Sequence, residues 1–142
     1  MKRIEPHDFY LLKLKRNLDP KNWKRIGLDV LDKVETDQYK CIAHCWIPDD
    51  LMECMAPSFS ELSLKVDYYG INLITKKEDA KKIQKVCEKW IKIFQNADEY
   101  VELSDWKEKY LESDLICLLR ELEDMSKELV QKEDRIICYC GI

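Results

Sequence analysis

At 142 residues and 17.0 kDa the chain is long enough for one folded domain with a real core, and residues 1–142 are read as a single domain. Hydrophobic residues make up 46% and charged residues 37%, with 3 Gly and 4 Pro, which excludes a disordered or low-complexity chain. The formal net charge of −4, from 28 acids against 24 bases, disfavours nucleic acid or an anionic membrane as the main partner.

The opening residues MKRIEPHDFY lack the apolar core of a signal peptide, and no apolar run approaches the length of a membrane span. A cytoplasmic protein is therefore expected. The seven cysteines then read as free thiols, since a reducing compartment does not sustain a disulfide framework. His7 is expected in a mobile terminal segment, and FYLLKLK after it is a weak strand candidate. In DPKNWKRIGLDVLDKVE, Asp19 is a natural N-cap and Pro20 suits a first helical turn. Trp23, Ile26, Val30, Leu31 and Val34 then form an apolar stripe at helical spacing.

YKCIAHCWI (39–47) reads as a strand ending at Pro48, and IPDDLMECMAPSF as the loop that follows. ELSLKVDYYG alternates apolar and polar residues, the period of a half-buried strand, and INLI continues it past Gly70. Thr75 and Glu78 have capping-box spacing. Ala80, Ile83, Val86, Cys87, Trp90, Ile91 and Phe94 then mark the clearest helix, with Lys81, Lys85, Lys89 and Lys92 opposite and Asn96 as its stop. YVEL (100–103) is a further strand. A third helix starts near Ser113, carries Leu115, Leu118, Leu119, Leu122, Met125 and Leu129 on one face, and stops before Asp134. RIICYCGI closes the sequence as an apolar strand buried on both faces. Together these predict an α+β fold, a mainly antiparallel sheet with about three amphipathic helices on one face.

Two groups of residues carry candidate chemistry. The first is Cys41, His44, Cys45 and Cys54, the material for a thiol- or metal-dependent enzyme. On a regular strand, however, Cys41 and Cys45 share a face about 13 Å apart and His44 points the other way. A zinc ion gathers its ligands at about 2.0–2.3 Å, so no metal site is expected. Cys138 and Cys140 lack the helix that activates a redox pair and read as buried thiols. With three glycines in the whole chain, a phosphate-cradling loop is not available. No catalytic residues, cofactor or metal are therefore expected, and the protein is not read as an enzyme.

The second group is acidic. Residues 98–134 hold thirteen acids against five bases. In NADEYVELSDW, Asp98, Glu99, Glu102 and Asp105 interleave with Tyr100 and Trp106. In the 47–59 stretch, Asp49, Asp50 and Glu53 stand beside Leu51, Met52, Met55 and Phe59. Acids beside large apolar side chains suit a basic protein partner, with charge guiding encounter and the large side chains anchoring it.

From Asp67 to Ile142 the chain resembles small, single-domain bacterial proteins grouped as immunity proteins of polymorphic or contact-dependent toxin systems. The matching pieces are DYYGINLI leading into the lysine-faced helix, EYVELSD, the long helix after it, and the terminal strand ending in GI. The resemblance implies a non-catalytic, intracellular protein that binds and masks a cognate toxin, often a nuclease with a basic cleft. The chain itself is expected to be a monomer or weak homo-oligomer. No motif of that group specifies functional residues, so none is transferred to this chain. A homo-oligomeric adaptor is the alternative from a different class, beside the thiol or metal enzyme.

Overall fold

The computed structural model of the chain describes residues 6–15, 23–32, 38–103 and 109–141. Among these residues are six strands and four helices: β1 (Pro6–Leu14), α1 (Trp23–Leu31), β2 (Tyr39–Pro48), α2 (Asp49–Phe59), β3 (Ile71–Ile74), α3 (Lys77–Gln95), β4 (Tyr100–Glu102), β5 (Lys109–Leu111), α4 (Glu112–Gln131) and β6 (Arg135–Cys140). The α+β class and the antiparallel sheet are as expected. A four-stranded sheet runs in the order β2-β1-β6-β3 with every neighbouring pair antiparallel, and β4 pairs β5 in a separate hairpin.

β1 and β6 fill the middle of the sheet. The segment read from sequence as a weak strand behind a mobile terminus is thus a central strand, and His7 lies on it, 2% exposed. Each residue of β6 is buried, which the unbroken apolar run of RIICYC requires of a strand covered on both faces. The two faces separate cleanly by parity. Phe9, Leu11, Ile137 and Tyr139 meet Leu51, Met55, Ile83, Phe94, Leu119 and Leu122 from α2, α3 and α4. Leu12, Leu14, Ile136, Cys138 and Cys140 meet Ile26 and Val30 of α1 on the reverse side. Helices therefore cover both faces, not one as the sequence suggested.

Trp23, Ile26, Val30 and Leu31 of the predicted apolar stripe fall on α1, where Ile26 and Val30 are buried; Asp19, Pro20 and Val34 lie outside the described residues. α2 replaces the predicted loop. Pro48 ends β2 and serves as the residue before the helix, with extended φ and ψ of −59° and 146°. Asp49 and Asp50 then occupy the first turn, where the helix dipole favours acids. Leu51, Met52, Met55 and Phe59 form its buried face, while Pro57 falls in the last turn.

α3 begins at Lys77 with Lys76 as its N-cap and without a side-chain cap, so the Thr75–Glu78 box does not form. Asn96 ends the helix as predicted, its Nδ2 donating to the Lys92 carbonyl at 2.9 Å. Residues 61–68 keep the predicted alternation of exposure but form no strand. Ser63 is held by Asp79 of α3 instead: its N–H donates to Oδ1 at 2.8 Å and its hydroxyl to Oδ2 at 2.5 Å. A side chain thus supplies acceptors that a neighbouring strand would otherwise provide.

Candidate functional site

The two acidic stretches picked from sequence meet in space. α2 packs beside the β4–β5 hairpin, where the Tyr110 hydroxyl donates to Asp50 Oδ2 at 3.1 Å. The Cys54 thiol approaches the Leu103 carbonyl at 3.9 Å, a weak second contact between the same elements. The Glu112 N–H donates to the Glu99 carbonyl at 2.9 Å and ties the hairpin to the start of α4. On this scaffold Glu53, Asp98, Glu99 and Glu102 are exposed, and Asp49 is half-buried. Asp50 is buried, so its carboxylate fastens the hairpin. Asp105 and Trp106 lie outside the described residues.

The thiol and histidine group disperses. β2 carries one extra residue opposite the Leu11/Leu12 step, where Leu11 pairs with Ala43 and Leu12 with Cys41. Ile42 is the bulge, and one inserted residue reverses the parity of everything before it. Cys41 and His44 therefore share the α1 side of the sheet, while Cys45 faces the other side, correcting the regular-strand expectation. Cys41 is exposed and Cys45 fully buried, with burial pushing the Cys45 thiol up to about 12. Cys54 sits on α2 facing the hairpin. His44 stacks on Tyr10 with ring centres 4.5 Å apart, and its Nε2 lies 2.8 Å from Asp8 Oδ1. Among the described residues no three His, Cys, Asp or Glu side chains converge as a metal-binding group.

A cavity of about 370 Å³ lies on the other side of α2, lined by His7, Asp49, Met52, Glu53, Tyr68 and Tyr69 among others. Its floor is a hydrogen-bonded string. His7 Nδ1 is 2.5 Å from the Tyr139 hydroxyl and His7 Nε2 is 2.7 Å from Asp49 Oδ1. Only one proton arrangement satisfies all three groups with a neutral ring: the Tyr139 O–H donates to Nδ1, and Nε2–H donates to the carboxylate. Phe9 stacks flat on Tyr139 at 4.6 Å and Tyr68 meets it edge-on at 6.5 Å, so the string is held by core packing. Burial, reinforced by Tyr68 and Asp49 nearby, pushes the Tyr139 hydroxyl well above its ordinary value and keeps it protonated.

Asn72 holds the turn that carries the lining residues Tyr68 and Tyr69. Buried on β3, it accepts the Asp67 N–H at 2.6 Å and donates to the Asp67 carbonyl at 2.7 Å. The same amide nitrogen reaches the Tyr139 carbonyl at 3.3 Å, joining the turn at 67–70 to the central strand. Tyr68 is secured by its hydroxyl, which donates to the Ala56 carbonyl at 3.2 Å, while Tyr69 is left 81% exposed. Sequence reasoning missed this cavity. The available signal was parity: His7, Phe9 and Leu11 alternate in phase, which places the histidine on the core side once the segment is a strand. No family model, curated protein or solved structure matches this chain.

Proposed function

We propose that this chain is a non-catalytic, immunity-type protein that binds and neutralises a cognate bacterial toxin presenting a basic surface, acting in the cytoplasm. The observation that carries the reading is the docking of α2 against the β4–β5 hairpin, which brings two acidic segments, distant in sequence, onto adjoining elements. Glu53 on α2 and Asp98, Glu99 and Glu102 at the hairpin are all exposed, with Tyr100 also largely exposed on the hairpin. A fixed acidic surface with an aromatic side chain accelerates encounter with a basic partner and supplies an anchor once contact is made. The scatter of Cys41, His44, Cys45 and Cys54 over both faces of the sheet and α2 makes a shared thiol or metal centre the weaker reading.

Co-expression with the product of the adjacent reading frame tests this. The intact chain should relieve that product's toxicity and co-purify with it. Replacing Glu53 and Glu102 together by Lys should slow association by about ten-fold or more, with the difference shrinking as salt is raised. Absence of both rescue and binding overturns the proposal.

A further inference from the structure

The cavity beside α2 carries two carboxylates that no lysine or arginine among the described residues pairs with. Asp49 and Glu53 lie four residues apart on α2, so their carboxylates stand one turn apart at the same opening. Like charges in that relation disfavour the helix. Neither forms an ion pair with a lysine or arginine among the described residues, and His7 is the one basic side chain in the lining. Asp49, itself a lining residue, gives one oxygen to His7, and its other oxygen has no partner among the described residues. The buried string behind it fixes the carboxylate's direction, because His7 and Tyr139 are themselves locked in the core.

The walls select among cations. Tyr68 and Tyr69 offer aromatic faces and Met52 a polarisable thioether, surfaces that favour a flat, weakly hydrated cation over a compact, strongly hydrated one. A guanidinium meets both demands, stacking on a ring while its fork of N–H donors reaches carboxylates. The cavity's 370 Å³ is at the small end of ligand sites and leaves room for a single long side chain. We infer that this cavity is an arginine receptor: an arginine side chain of the protein partner enters it, its guanidinium held between Asp49 and Glu53 and stacked on Tyr68 or Tyr69. That the arginine comes from a toxin rests on the function proposed above; the chemistry of the cavity does not.

The test is an amide-resolved NMR titration of the intact chain with N-acetyl-L-arginine methylamide, and separately with the norleucine analogue and with magnesium chloride. The arginine amide should shift the amides of residues 49–56 and 68–70 saturably, with a Kd of about 1–10 mM, and the norleucine analogue should bind at least about ten-fold more weakly. Glu53→Gln should weaken arginine binding by about five-fold, whereas Glu102→Gln, on the hairpin and outside the cavity, should leave it unchanged. Equal binding of norleucine, an unaffected Glu53→Gln variant, or no saturable shift at these residues would overturn the inference. The same shifts produced by magnesium at lower concentration would overturn it in favour of a metal-cation site. Because no toxin is present, the outcome separates from the function proposed above. Failed titration with intact neutralisation removes the receptor alone, and successful titration without neutralisation removes the toxin partner alone.

Discussion

Cys138 shows what a thiol does when a fold uses it as a small hydrophobe. It is fully buried beneath α1, 3.8 Å from Cys140 on the same face of β6, and the two share a hydrogen bond. The hydrogen bond to Cys140 and burial push the Cys138 thiol up, while the same bond holds Cys140 down. A serine in this place puts a strongly polar hydroxyl where sulfur was, among Leu12, Ile26 and Ile136. Cys138→Ser should therefore cost about 1–3 kcal/mol, read as a lower urea midpoint. Since Cys138 faces away from the cavity, the variant's arginine titration should match the parent's at a temperature where it is folded. An unchanged midpoint would show that the α1 side of the sheet is not a packed interior. The burial of this residue was legible in the apolar run RIICYC. The role of His7 was not, because one polar residue at the head of a strand carries no local mark of the tyrosine 132 positions away that binds it.

The elements themselves were read with uneven success, and the reasons are physical. Helices α3 and α4 announced themselves because long apolar stripes repeat at helical spacing. α2 was hidden by Pro48, two aspartates and Pro57, all turn signals in isolation, although the first three belong to a helix start. The bulge at Ile42 was invisible, since it depends on how β2 registers against β1. The acidic content of the candidate surface was legible, but its assembly was not, because it hangs on the contact between Tyr110 and Asp50. α1 illustrates the same point. Gly27 lets the helix sit close to the sheet: a Cβ there would come within 2.6 Å of Ile71 Cγ2 and 3.9 Å of Cys138 Sγ. Ile71 is β-branched on a strand and has little room to turn. Gly27→Ala gains about 1 kcal/mol of helix propensity but incurs about 1–3 kcal/mol of overpacking, so the net effect should be destabilising. Leu28→Ala, one residue along and 47% exposed, is the control and should be nearly neutral. A more stable Gly27→Ala chain in chemical denaturation would show that α1 does not lie so close.

For the molecule as a whole, the buried acids of alkaline pH set a one-sided stability profile. Burial, with Asp8 nearby, lifts Tyr10 from 10.0 to about 12, and burial lifts Cys45 from 9.0 to about 12. Tyr139 and Cys87 move the same way, chiefly through burial. The unfolded chain therefore loses these protons first, and the folded chain holds more protons between the two sets of values. Stability is then fully present below about pH 9 and falls as pH rises from about 9 toward 12. The urea midpoint should be clearly lower at pH 10.5 than at 7.5, and a flat midpoint over that interval would contradict the burial of these groups. The same central strands carry a consequence for synthesis. β1 is made before the other described strands, yet the neighbour on its inner side, β6, follows more than a hundred residues later. Among the described residues β3 pairs only with β6 and waits as well. The nascent chain thus holds an open seam through its middle until residue 140 has emerged, and only then can the His7–Tyr139 bond close over it.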